Sequence, residues 1–391
     1  MSAADRNRQT VLVLALFGAL AALAFGIAFY RATDWTAPFP HDATGLVAGR
    51  DFLNFWMAGR AALAPDPGQY YDLPAYNHAL ASVVGAGYPA QTWSYPPTQL
   101  LIAAPFGHLP YRLALLLWTG LGAAALYATL RRIIGGRAYY VFAAPAALFA
   151  VMSGQSSLFT TALLFAGLAL LDKRPLLAGL LLGLLSLKPQ LALVIPVALI
   201  AGRYWRSLGA AGVTAFGLIA ATTALYGLEV WRDYLSVGVP AQNAVLVHTE
   251  ILATQSMPTV FMNLHRAGLG CTASMVVQLV CALAAAIAVF WFWRRHEDRP
   301  VAIAATLAAS VAATPYLMVY DTLPLAAAGA WLLEKYPLSE KGRLVIKLVW
   351  WLPFLQLALG RFAIPGAALI APVMVLWLAQ RRTPTIAANS G

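Results

Sequence analysis

The strongest constraint on this chain is the length of its stretches without a single Asp, Glu, Lys or Arg. Residues 11–30, 113–130, 138–171, 207–228, 267–293, 300–320 and 362–380 are all charge-free. Each approaches or exceeds the ~20 residues that carry a helix across ~30 Å of hydrocarbon at 1.5 Å per residue. Only 10% of the 391 residues are charged and 61% are hydrophobic, against roughly 25% charged in a soluble chain. A water-soluble globular fold is therefore excluded. A membrane β-barrel is excluded too, because its strands alternate apolar and polar residues over ~10 positions and nothing here alternates. The expected fold is all-α, a polytopic transmembrane bundle of about 12 spans forming one integral membrane domain over residues 1–391. Cys271 and Cys281 are ten residues apart in one apolar run, too far for a disulfide on a single helix. The first apolar run reaches Arg31 with no A-x-A cleavage site and is expected to be the first span rather than a removed signal.

The net charge of +11 suggests nucleic acid until the charges are placed. Letting the chain cross at each span puts the N-terminus, 131–137, 172–174, 203–206, 294–299, 334–347 and 381–382 on one side, with 18 of the 26 basic and 6 of the 15 acidic residues. The positive-inside rule makes this side cytoplasmic, with both termini on it, and assigns the basic loops to topology, so no nucleic-acid partner is expected. The segment 96–110 is a short apolar piece expected to be re-entrant, since a full crossing would put Arg131, Arg132 and Arg137 outside.

Two loops stand on the other side. Residues 31–96 form a first outer loop far longer than a helix connection needs. Within it Phe52, Phe55, Trp56 and Gly59 recur at helical spacing, which predicts an amphipathic helix at the membrane interface with Asp51 in its first turn. Asp51 serves either helix capping or chemistry. The second outer loop, 228–256, carries Trp231, Arg232, Asp233, His248 and Glu250, a pattern of polar-group recognition or of interfacial anchoring.

Ionisable and polar groups near membrane depth are costly and tend to be functional. Here they fall at the outer ends of spans: Ser153-Gly154-Gln155-Ser156-Ser157, Ser186-Leu187-Lys188-Pro189-Gln190, and Thr314-Pro315-Tyr316 with Tyr320-Asp321. Lys188 needs an anionic partner, a phosphate or a carboxylate such as Asp321, unless it snorkels to the interface. Gln155 fits a turn and Asp321 a helix cap equally well. The histidines show no metal-ligand spacing and there is no D-x-D pair, so no metal or other cofactor is expected. No phosphate-binding Gly-rich loop and no G-x-S-x-G element occurs, which argues against nucleotide-driven and hydrolase mechanisms.

The order of these elements resembles glycosyltransferase family 87. Asp51 stands before Phe52 and Trp56, Gly59-Arg60-Ala61 leads to Tyr70-Tyr71-Asp72, and Tyr95-Pro96-Pro97 opens an apolar run with Pro105. Gly154-Gln155, Gly179 and Gly183 before Lys188-Pro189, and Pro315-Tyr316 before Tyr320-Asp321 continue the pattern, over residues 10–335. The resemblance implies an inverting transferase of the plasma membrane. It would move one sugar from a polyprenyl-phosphate donor to a lipid or glycan acceptor at the outer face, among membrane lipids. The family's best-known branch adds mannose to phosphatidylinositol mannosides of mycobacteria and their relatives, which suggests a mannose-like hexose. Asp51 falls on the family's loop aspartate, the general base. Lys188, Arg50 and Arg60 are then candidates for the donor phosphate, and Gln155, Tyr95, His248, Tyr316, Tyr320 and Asp321 for substrate. The competing expectation is a transporter or flippase of a polar lipid or lipid-linked sugar, which would place its charged and broken-helix elements at the bilayer midplane in paired halves.

Overall fold

The computed structural model describes residues 2–93, 95–295 and 298–380; Glu297, Arg381 and Arg382, part of the charge sorting above, lie outside them. Among the described residues the chain is helical without strands, the nearest to one being an isolated bridge between His41 and Val47. Among the described residues five helices are long and apolar enough to cross a membrane: Ala3–Ala32, Tyr111–Ile133, Trp205–Tyr226, Cys271–Arg294 and Glu340–Arg361. The remaining apolar runs are shorter or broken, so the full set of about twelve crossings is not evident from helix length. Residues 138–171 illustrate this, dividing into Pro145–Ser153 and Ser157–Leu170 around Gly154, whose φ of 67° stops the first helix. Similarly, Lys188-Pro189 interrupts the helical run that begins at Pro175.

Small residues decide what lies at the centre. Arg299–Ala313 and Leu323–Lys335, rich in alanine, are buried along almost their whole length, as expected of helices apolar on every face. Trp205–Tyr226 lies at the periphery, where Val213, Phe216 and Leu225 are exposed. Such a large exposed apolar surface identifies a membrane protein.

Tyr111–Ile133, Ser157–Leu170, Arg299–Ala313 and Leu323–Lys335 each run between two distinct ends of the molecule. At one end Arg137 pairs with Glu334 at 2.6 Å and Asp172 with Arg299 at 2.9 Å. There Asn7 also donates to the Leu333 carbonyl at 3.0 Å. At the other end Tyr111 donates to the carbonyls of Ala48 and Gly49 at 2.7 and 3.0 Å, and Ser157 meets Asp321. The 14 residues of Ser157–Leu170 separate these ends by about 20 Å.

The first outer loop forms a packed unit at the second end. Arg50–Ala61 is a helix, but it does not lie on the surface as its amphipathic spacing predicts. Phe52, Leu53, Phe55, Trp56, Met57, Ala58 and Ala61 are all buried, because Gln99–Gly107, Phe106, Tyr111 and Trp118 cover the face expected to meet lipid. Gln99–Gly107 has nine residues, too short to span, and crosses Arg50–Ala61 at near backbone contact. A Cβ on Gly59 would stand 2.3 Å from the Ala103 carbonyl oxygen, and one on Gly107 2.3 Å from the Gly59 carbonyl carbon. Gly59→Val is expected to lower the thermal midpoint in detergent by the equivalent of about 1–3 kcal/mol; an unchanged midpoint would contradict this close crossing.

Candidate functional site

Asp51 owes its position to one helix that grips two chain breaks. Tyr111, at the start of Tyr111–Ile133, donates to the carbonyls of Ala48 and Gly49 just before Asp51. Two turns further on, the Trp118 indole donates to the Gly154 carbonyl at 3.0 Å, just before Gln155. The Gly49 amide completes the link by donating to the Met152 carbonyl at 3.1 Å. Gly49 is the residue that starts the helix, with a φ of 75° and no side-chain cap, so the Asp51 carboxylate is not used for capping and points elsewhere.

It points to Gln155. The Gln155 amide oxygen accepts the Ser156 backbone N–H at 3.0 Å, which fixes the orientation of the amide and aims its nitrogen at three oxygens. These are Asp51 Oδ2 at 3.3 Å, the Tyr95 hydroxyl at 3.1 Å and the Tyr320 hydroxyl at 3.0 Å. Burial pushes the Asp51 carboxyl above its usual range, against the opposing effect of the Gln155 hydrogen bond and the Arg50 and Lys188 charges. Burial likewise raises the Tyr95 phenol, which remains protonated at neutral pH. Asp51, Phe55, Tyr95, Gln99, Trp118, Gly154, Gln155 and Ser156 line a pocket of about 10 Å³, room for about one water molecule. An aromatic wall of Phe55 and Trp118, 4.3 Å between centroids, forms one side.

Beneath this pocket lies a buried ion pair. Lys188 Nζ is 2.6 Å from Asp321 Oδ1, with both side chains at most 4% exposed. Ser157 donates to the same carboxylate at 2.7 Å, and the Met318 N–H donates to its other oxygen at 3.3 Å. The carboxylate alternative for Lys188 is thus the contact present, and Asp321 caps its short helix as well as pairing. The Lys188 ammonium sits 5.4 Å from the Tyr320 ring centroid, so it approaches Asp51 through that ring.

The other sequence candidates stand apart. Arg50 pairs with Asp42 at 3.3 Å yet keeps 41% of its side chain exposed next to Asp51. Arg60 lies 5.0 Å from the Trp56 ring centroid at the far end of the same helix, about two and a half turns beyond Asp51. His248 bonds Glu250 at 2.8 Å in an exposed position of the second outer loop. That loop reaches the site through Gln242, whose side chain lies close to the Tyr316 hydroxyl. Sequence reasoning did not single out Gln99 or Trp118, and it took Phe55 for a lipid-facing residue and Ser157 only as part of a polar turn. Gln99 donates to the Leu187 carbonyl at 2.7 Å and so fastens the break at Lys188; only its place two residues after Pro96-Pro97 hinted at it. Among the described residues no group of three or more His, Cys, Asp or Glu is placed to hold a metal.

The family model of glycosyltransferase family 87 matches residues 93–320, more than half of the chain. The protein belongs to glycosyltransferase family 87. The matched region contains Tyr95, Gln155, Lys188, Tyr316 and Tyr320, while Asp51 precedes it and is joined to it by the Gln155 hydrogen bond. No curated protein and no solved structure matches the chain. The family makes this membrane protein a glycosyltransferase.

Removing one partner of a buried pair leaves a charge without compensation, at about 3–5 kcal/mol. Lys188→Met and Asp321→Asn are each expected to lower the thermal midpoint in detergent more than the double variant does. Additive losses would contradict a direct pair.

Proposed function

We propose that the protein is an inverting hexosyltransferase that uses a polyprenyl-phosphate sugar, with Asp51 as general base. The observation that carries this reading is the placement of Asp51: one half-buried carboxylate, free of capping, lines a pocket walled by Phe55 and Trp118 at the end opposite the basic loops. A carboxylate raised by burial accepts a proton more readily than an exposed one. The acceptor hydroxyl gives its proton to Asp51 Oδ while its oxygen forms the new bond to the anomeric carbon. The bond from that carbon to the phosphate oxygen breaks, and polyprenyl phosphate leaves with the electron pair from the opposite face. A single carboxylate is enough, since a phosphate leaving group needs charge stabilisation more than a proton.

Arg50 is the cation we assign to that phosphate, because its exposed part lies beside Asp51. Lys188 is committed to Asp321 and contributes by holding Tyr320 in place. A hexose exceeds the present pocket, so binding has to move the Phe55 and Tyr95 side of it. The positive-inside rule places the basic end in the cytoplasm and the Asp51 end outside, in the plasma membrane. That face suits a lipid-linked donor and a lipid or glycan acceptor, with a mannose-like hexose as the first candidate.

The test compares glycolipids of cells lacking the gene, complemented by wild type or by Asp51→Asn. Accumulation of one precursor shorter by a single sugar, in both the deletion and the Asn variant, is the expected result. A wild-type profile with Asp51→Asn would remove Asp51 from the base role. Stability should move the other way. With its carboxyl raised above 3.8, the folded protein binds more protons than the unfolded chain just above that pH, so stability falls as pH rises through this window. Asp51→Asn is therefore expected to melt no lower than wild type at neutral pH while losing turnover.

A further inference from the structure

The end opposite Asp51 carries a second charged feature. The Pro175–Gly183 and Trp205–Tyr226 helices run parallel in near backbone contact. A Cβ on Gly179 would stand 2.3 Å from the Ser207 carbonyl oxygen, and one on Gly183 2.6 Å from that of Ala211. The Ser207 hydroxyl donates to the Pro175 carbonyl at 2.8 Å. Both helices therefore begin side by side, and at their start Arg174, Pro175, Leu176, Leu177 and Arg206 line an open groove of about 470 Å³.

The charges around this groove do not cancel. The two loops leading into it, 172–174 and 203–206, hold Lys173, Arg174, Arg203 and Arg206 against one acid, Asp172. Asp172 is already saturated: Arg299 holds it through two nitrogens at 2.9 and 3.0 Å, and the Tyr204 hydroxyl donates to it at 2.7 Å. No ion pair with a described residue answers Arg174 or Arg206. The two helix starts add positive potential at the same place.

The walls of the groove are as informative as its charges. Leu176 is 61% exposed and Trp205 59%, and the exposed apolar surface continues along the helices through Leu180, Val213 and Phe216. A free anion would use the arginines and leave this apolar surface unmatched. A ligand with an anionic head and two acyl chains matches both.

We propose that this groove binds one anionic diacyl phospholipid of the leaflet at the basic end. Its phosphodiester lies between Arg174 and Arg206, the indole of Trp205 sits at headgroup depth, and its chains follow the exposed face of the two helices. Guanidinium groups suit such a phosphate because they donate in a planar fork. The site lies at the opposite end of the molecule from Asp51, about 20 Å away along the helix direction, and does not depend on the reaction assigned there.

Native mass spectrometry of the full chain released from detergent, with equal phosphatidylglycerol and phosphatidylcholine, tests this. Wild type is expected to retain a first phosphatidylglycerol in preference to phosphatidylcholine by roughly tenfold or more. The Arg174→Ala/Arg206→Ala variant should lose that preference. Arg131→Ala/Arg132→Ala, which removes two arginines at the same end but outside the groove, should keep it. Equal binding of the two lipids by wild type would overturn the proposal. So would an undiminished preference in the groove variant, or an equal loss in the control, which would indicate general electrostatic attraction. Displacement of the lipid by millimolar glycerol phosphate would also overturn it, by showing a site for the phosphate alone.

Discussion

The ion pair between Lys188 and Asp321 is the contact on which the arrangement at the outer-loop end depends. It joins residues 133 positions apart and brings together the break after Leu187, the start of Ser157–Leu170 and the short helix that carries Tyr320. Two charges in so dry a place cost several kcal/mol each in lost hydration, offset only when geometry and extra hydrogen bonds are good. Here Ser157 and the Met318 amide supply those bonds. Tyr320 is held between this pair and Gln155, and Gln155 holds Asp51. A carboxylate that would otherwise swing in solvent is thereby fixed at one orientation.

The position of the site follows from where the helices fail. A helix that crossed without interruption would leave no polar group at this depth. Gly154 at positive φ, Pro189 and Pro315 each stop a helix at the same end of the molecule, and the polar residues next to those stops converge. The first outer loop supplies the missing carboxylate by packing its aromatic helix onto the bundle. Near contact between Gly59 and Gly107 lets that helix sit close enough for Asp51 to reach Gln155.

The helical, membrane-embedded class was legible in the sequence because runs without charge have few other solutions in water or lipid. The nearness of Gln155, Lys188, Tyr316, Tyr320 and Asp321 has a related cause: Gln155, Lys188 and Tyr316 each adjoin a helix-stopping glycine or proline, and Tyr320 and Asp321 follow Pro315 within two turns. What could not be read was which groups pair. Lys188 has the same local sequence whether it meets a phosphate or Asp321, and only the fold selects. The Arg50–Ala61 helix misled for a similar reason, since its apolar stripe is equally suited to lipid and to the Phe106, Tyr111 and Trp118 side chains that cover it. Arg60 and His248 looked equivalent to Arg50 by composition, but helical geometry and loop length carry them away from Asp51.

Catalysis and stability pull against each other at Asp51. The burial that makes the carboxylate a better proton acceptor also makes it a burden on the folded state once ionised. The most direct test of its role is the rate of sugar transfer by the purified protein in lipid nanodiscs, from a polyprenyl-phosphate hexose, followed against pH. The account requires a rate that rises through one ionisation above the 3.8 of an ordinary aspartate. A rate independent of pH across that range, or transfer from a nucleotide sugar alone, would contradict it.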